Sequence, residues 1–416
     1  MPDSLPLLAA LVALLVGLIA GKAWERYKLH GGRWLDRRKL RQTPHYMLGL
    51  NFLGEGQVDR AIDELSRAAS DGTDALELQM ILGNLHRQKG QVGKAVSIHQ
   101  ALLQRQDLSR AEHAYLLLCL GLDYRGGGFV DRAREAFEDV LRLDPANRHA
   151  LVNLAKLHEE QRQWTEALAA RTTLGALRDA DTVSDRQIEA FLHNEIGRAQ
   201  AARGLDGPAA RAFADAIERD ARTAPAYLNL GDVRARAGDM PGAIDAWERL
   251  IAVVPERAHL AFDRLDDAYA RAGAADRFRA LCERLISEHP ENWRARLALA
   301  RHLRRRGLPG PSVELLFDAL AQHPHGLALH QAIWQILAEA DTDPALVRRY
   351  VTASRDAVFY LDPHVCVRCR YRSTELLWLC PQCHEWNTFV EERIAQGRDS
   401  SEAELAPPAN PPPSSS

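Results

Sequence analysis

The chain has 416 residues, long enough for a large buried core or for several domains. Apolar residues make up 46% and charged residues 26%, as in a folded protein. Few aromatics (6%) and an abundance of Ala, Leu and Arg favour helices over strands, and a net charge of −3 excludes a general attraction to nucleic acid.

Residues 5–21, LPLLAALVALLVGLIAG, form an apolar run of 17. At about 1.5 Å per residue it would reach roughly 26 Å as a helix, close to the thickness of bilayer hydrocarbon. A cleaved signal peptide carries positive charge before such a run and a small-x-small site after it. Here Asp3 is the only charged side chain before the run. Lys22, Arg26, Lys28, Arg33, Arg37, Arg38, Lys39 and Arg41 follow it against Glu25 and Asp36, so 8 − 2 = +6. This asymmetry predicts a retained single-pass anchor at 1–21 and a basic juxtamembrane stem at 22–42, with the bulk of the chain on the cytoplasmic side. Trp24 and Tyr27 suit the interface, and Lys22 can snorkel. Gly17 and Gly21 form a G-x-x-x-G, which would let two copies approach as a homo-oligomer; the plainer reading is two tolerated glycines.

From residue 43 a repeat takes over. A small residue recurs at Gly49, Gly83, Gly121, Ala155, Gly197, Gly231 and Ala300, mostly in steps of 34. Twelve positions after each stands another small residue: Ala61, Ala95, Ala133, Ala167, Ala209, Ala243 and Ser312. Asp266 and Phe278 keep this phase without the small side chains. Pro145, Pro255, Pro290 and Pro324 punctuate four of the units. The pattern is the tetratricopeptide one, two antiparallel helices per unit with small residues where they cross. One unit cannot bury its own apolar face, so units stack. Eight phased units over 43–324 and a closing pair at 325–357 predict a mainly α solenoid, residues 43–357. Its inner face would carry Arg87, Arg125, Lys156 and Arg198, either a basic stripe for an acidic partner or ordinary solvated charges. RHLRRR (301–306) reads as a solvated helix end, and Cys119 and Cys282 as small core residues.

Four of the six cysteines lie in CVRCRYRSTELLWLCPQC, spaced C-x2-C-x10-C-x2-C: Cys366, Cys369, Cys380 and Cys383. In a reducing compartment two such pairs read as a metal site rather than disulfides. Each pair makes a tight turn, and two facing turns complete an S4 site with no open position, so one structural metal ion is expected. Zinc is favoured, and S4 geometry also accepts iron. The segment between the pairs is expected to form a β-hairpin, with Tyr371, Leu377 and Trp378 beside the metal and His364 and His384 as bystanders. The ribbon spans 358–395, and residues 396–416, rich in Pro and Ser, read as a disordered tail.

The order of anchor, stem, repeat array and terminal ribbon resembles the lipopolysaccharide assembly protein B family. The likeness rests on YMLGLNFLGEGQVDRAIDEL, LGNLHRQKGQVGKAVSIHQALL and CVRCRYRSTELLWLCPQCHEWNTF. It implies a rubredoxin-like ribbon whose metal is held by the two C-x-x-C pairs. It also implies an inner-membrane adaptor that regulates lipopolysaccharide synthesis. The implied partners are the membrane protease FtsH, the deacetylase LpxC whose degradation is promoted, and other lipopolysaccharide assembly proteins. Arg370 departs from the family pattern, since rubredoxin-type knuckles usually carry glycine there.

Other classes fare less well. The chain has no H-E-x-x-H, no G-x-S-x-G and no phosphate-binding glycine loop, so an enzyme is not expected. A tethered rubredoxin-like electron carrier and a general protein-assembly scaffold are the alternatives. A nucleic-acid-binding ribbon is disfavoured because 366–395 mixes both signs of charge.

Overall fold

The computed structural model describes Leu18, Lys22 and residues 44–70, 75–177, 182–338, 343–355 and 364–391. The expected stem, the tail and all of the anchor except Leu18 lie outside the described residues, apart from Lys22. Among the described residues no helix is long and apolar enough to cross a membrane.

The chain divides into two compact units, residues 1–181 and 182–416. The first contains four helix pairs: α1 (Pro44–Gly54) with α2 (Val58–Ser70), α3 (Leu76–Gln88) with α4 (Val92–Leu103), α5 (Arg110–Gly126) with α6 (Val130–Leu143), and α7 (Arg148–Glu160) with α8 (Trp164–Ala176). The second contains five: α9 (Val183–Ala202) with α10 (Asp206–Arg219), α11 (Ala224–Arg236) with α12 (Met240–Val253), α13 (Phe262–Arg271) with α14 (Ala275–Glu288), α15 (Trp293–Arg305) with α16 (Pro309–Gln322), and α17 (Leu327–Leu337) with α18 (Pro344–Ser354). A 3-10 helix, Pro255–Ala261, precedes α13. Strands β1 (His364–Cys366), β2 (Arg372–Ser373) and β3 (Phe389–Glu391) close the second unit.

The small residues of the repeat sit where the paired helices cross. A methyl group placed on Gly49, Gly121 or Gly197 would lie 2.6 Å from Leu65, Phe137 or Phe213 respectively. Each of those large side chains stands sixteen positions after its glycine, and Gly83 with His99 and Gly231 with Trp247 repeat the arrangement. The second set of small residues, from Ala61 to Ser312, is buried throughout. Asp266 occupies the crossing position of the seventh pair, where its partner at plus sixteen is the smaller Cys282. Its buried carboxylate accepts from His302 Nδ1 at 2.7 Å and from Arg305. His302 is therefore buried, so the RHLRRR run is not a wholly solvated end. Cys119 and Cys282 are core residues, and burial pushes both thiols up.

The turn inside each of the first eight pairs holds one residue with positive φ. Glycine fills it at seven pairs, from Gly56 (φ 73°) to Gly307 (φ 74°). Arg162 fills it in the fourth, at φ 56°, where a side chain crowds the backbone. Helix starts are fixed locally: Ser109 and Glu112 form a reciprocal capping box at α5, and Thr182 and Asp185 another at α9.

Two substitutions test these rules in chemical denaturation followed by far-ultraviolet circular dichroism. Arg162→Gly should stabilise by about 0.5–1 kcal/mol, the left-handed penalty less the entropy of glycine. Gly121→Ala should destabilise by about 1–3 kcal/mol, because buried Phe137 has no room to withdraw. Destabilisation by Arg162→Gly or stabilisation by Gly121→Ala would show that turn and crossing do not act as described.

Candidate metal centre

The two C-x-x-C segments fold identically at the backbone. In the first, Arg370 N–H donates to Cys366 O at 2.9 Å and Cys366 N–H donates to Tyr371 O at 2.9 Å. In the second, His384 N–H donates to Cys380 O at 3.0 Å and Cys380 N–H donates to Glu385 O at 3.0 Å. Each knuckle places its next residue in the left-handed region, Arg370 at φ 65° and His384 at φ 54°. Glycine adopts this conformation without strain, and both knuckles place a larger residue there.

The turns bring all four sulfurs within 4.8 Å of one another. Cys366 Sγ lies 3.7 Å from Cys383 Sγ, and Cys369 Sγ lies 3.6 Å from Cys380 Sγ. A tetrahedron of thiolates about 2.3 Å from a metal has edges of about 3.8 Å, so this donor set fits one ion. Cys366 and Cys380 are fully buried. Burial opposes ionisation of Cys366, but the Thr388 hydroxyl and the amides of Cys369 and Arg368 outweigh it and bring the thiol down to about 6. Burial pushes Cys383 up to about 12. His364 and His384 are not part of the sulfur cluster.

The segment between the knuckles is not a self-contained hairpin. The sheet order is β2-β1-β3, both pairings antiparallel, with β3 arriving from beyond the second knuckle. Leu377 packs with the cysteines and Phe389, and Tyr371 meets Phe389 edge-on at 6.4 Å. Trp378 departs from expectation: it leaves the metal centre and joins the helical core of the second unit.

Trp378 and Trp386 together grip Phe191 of α9. Trp386 stacks on it with centroids 5.4 Å apart, and Trp378 lies tilted at 6.0 Å. Arg257 of the 3-10 helix stands 5.8 Å over Trp378 and donates to Phe389 O at 3.4 Å. Arg294 of α15 pairs with Glu391 of β3 and holds that carboxyl below its usual range against the opposing effect of burial. His259 beside this pair is pushed down to about 4 by burial and by Arg294, so it is neutral at pH 7. The ribbon is thus seated on α9, the 3-10 helix and α15. Sequence reasoning missed Phe191, Arg257, Arg294 and Trp386. The available signal was two tryptophans in a module too small to bury both.

The residues expected to line a basic groove are mostly engaged within the chain. Arg87 donates to buried Asp123 at 2.9 Å, and the same carboxylate contacts His99 Nδ1 at 2.5 Å. Arg125 binds Asn153 at 2.9 Å and Glu160 at 2.5 Å. Arg198, in the second unit, pairs with Glu195 at 3.0 Å. Lys156 is half-buried.

Comparison with known proteins follows this division. Residues 46–109, 118–179 and 195–259 match the family described as tetratricopeptide repeat, and residues 364–391 match a rubredoxin metal binding domain. Lipopolysaccharide assembly protein B of Escherichia coli (strain K12) is 24% identical over 392 residues, which span 93% of this chain and 99% of that protein. The same-named protein of Haemophilus influenzae is 22% identical over 402 residues, 91% of this chain and 97% of that one. The chain is a relative of lipopolysaccharide assembly protein B. Its likeness to that family runs through both the repeats and the ribbon.

Replacing Cys380 and Cys383 with Ser removes two of four sulfurs. The ribbon is too short to hold a core alone, so metal binding supplies most of its folding energy. Metal analysis should show loss of about one ion per chain. Helical circular dichroism should be largely retained, because repeats depend mainly on their neighbours. Hydrogen exchange should rise around Phe191, Arg257 and Arg294 and stay unchanged in residues 44–177. Retained metal would mean that another residue completes the site.

Proposed function

We propose that this protein is a membrane-anchored cytoplasmic adaptor in lipopolysaccharide assembly, and not an enzyme. The observation that carries the reading is the whole-chain likeness to lipopolysaccharide assembly protein B, repeats and four-cysteine ribbon together. Stacked helix pairs offer extended surface for protein partners. The four thiols fill every position of a tetrahedral site, which suits a structural zinc ion held by Cys366, Cys369, Cys380 and Cys383. The apolar run 5–21 followed by a stem of charge +6 supports an inner-membrane anchor with the rest of the chain in the cytoplasm. In the finer form of the proposal, the protein delivers the deacetylase LpxC to the membrane protease FtsH and so limits commitment to lipid A. The anchor would raise the adaptor's effective concentration beside the protease.

Four measurements test this reading. A reporter fused after Ser416 should be active on the cytoplasmic side, and a periplasmic signal would refute the topology. Full-length protein purified from membranes should bring FtsH and LpxC with it. Deletion of its gene should raise the deacetylase level, and the Cys380→Ser/Cys383→Ser variant should fail to restore it. A colourless zinc protein fits the adaptor, whereas an iron-thiolate absorption band would favour the electron carrier.

A further inference from the structure

The two knuckles fold alike, yet their surroundings differ at one sulfur. Thr388 lies just before β3, and the pairing of Cys366 with Phe389 brings it alongside the first knuckle. Its carbonyl accepts from Val367 N–H at 2.9 Å. The equivalent residue of the second knuckle is Pro381, which has no N–H to give. The Thr388 hydroxyl oxygen stands 3.2 Å from Cys366 Sγ. Among the described residues no hydroxyl comes within hydrogen-bond distance of the other three sulfurs.

The same hydroxyl reaches the second knuckle. It donates to Glu385 O in a long bond of 3.5 Å, and that carbonyl also accepts from Cys380 N–H at 3.0 Å. As a thiol, Cys366 donates to Thr388 Oγ1. As a thiolate holding a metal ion, it has no proton to give and can only accept. The hydroxyl hydrogen then chooses between a distant neutral carbonyl and a near, charged sulfur. Charge-assisted hydrogen bonds are the stronger ones, so it turns to the sulfur.

The backbone holds Thr388 where this can happen. Phe389, the next residue, is buried, and its carbonyl accepts from Arg257 at 3.4 Å. Glu391 of the same strand pairs with Arg294. Thr388 is therefore fixed by the knuckle on one side and by contacts to the helices on the other. Rotation about one side-chain bond is all the rearrangement its hydroxyl needs.

We propose that Thr388 is a positioning residue of the metal centre, whose hydroxyl donates to the metal-bound sulfur of Cys366 and so tightens retention of the ion. Outer partners of this kind orient a ligand and stabilise its charged form, and their loss costs about ten- to hundredfold in metal affinity. The inference rests on the metal-site reading of the four cysteines. It goes beyond that reading by naming a fifth residue that sets how firmly the ion is kept.

The test compares the full-length wild type with Thr388→Val, which keeps the shape and removes the hydroxyl, and Thr388→Ser, which keeps the hydroxyl. Zinc affinity is measured by competition with a chromophoric chelator. Thr388→Val should bind zinc about tenfold more weakly or worse, and Thr388→Ser should recover most of the affinity. Cobalt(II) supplies a readout that packing alone would not move. A hydrogen bond lowers the energy of the sulfur lone pairs, so its loss should shift the thiolate-to-cobalt absorption band of Thr388→Val to longer wavelength, with Thr388→Ser unshifted. Equal zinc affinity in Thr388→Val, equal loss in Thr388→Ser, or weakened binding with an unshifted cobalt band would each overturn the proposal. Wild-type protein that takes up neither ion would overturn the metal-site reading itself, and the proposal with it.

Discussion

Close approach of two helices at a position without a side chain is the constraint on which the repeats depend. Phe137, Phe213 and Trp247 can seat against the partner helix only because Gly121, Gly197 and Gly231 leave the space empty. Within each unit, a pair then presents one apolar face that the next pair covers. Variation is accommodated locally. Where Asp266 replaces the small residue, Cys282 stands opposite, and the buried carboxylate is satisfied by His302 and Arg305. A buried charge without such partners would cost several kcal/mol.

The ribbon depends on a different force. About thirty residues cannot exclude enough water to hold a fold, so bonds from four sulfurs to one metal ion would replace the missing core. What such an ion would organise is tied to the helices by groups of mixed character. Trp386 stacks on Phe191 and Trp378 lies tilted against it, Arg257 lies over Trp378, and Arg294 pairs with Glu391. The aromatic contacts contribute about 0.5–1.5 kcal/mol each beyond burial, and the ion pair fixes orientation. Metal binding and attachment to the second unit are therefore coupled through a few side chains. This coupling gives a physical reason for a structural metal site at the end of a repeat array.

The same chain handles charge in two ways. Along the repeats, several arginines on the first helix of a pair are matched to carboxylates from neighbouring helices, as with Arg264 and Asp232 at 2.7 Å. Such pairing sets register between units more than it adds stability. In the ribbon, Arg368 and Arg370 have no carboxylate within ion-pair distance among the described residues, and Val367 beside them in sequence is exposed.

Much of this protein was legible in its sequence, because its dominant interactions recur at fixed spacing. Steps of 34 with a second small residue twelve positions on determined the helix pairs, since both follow from helix length and the space available at a crossing. Two C-x-x-C pairs determined which sulfurs converge, since a knuckle is a local turn. The partners of Arg87, Arg125 and Arg198 were not legible, because they depend on which neighbouring helix presents a carboxylate within about 3 Å. Nor was the departure of Trp378 from the metal centre to Phe191, nearly two hundred positions away. Local spacing encodes contacts within a turn or a helix pair. Only the stacking of the pairs decides which distant side chains meet, and the ribbon's seat is made of such contacts.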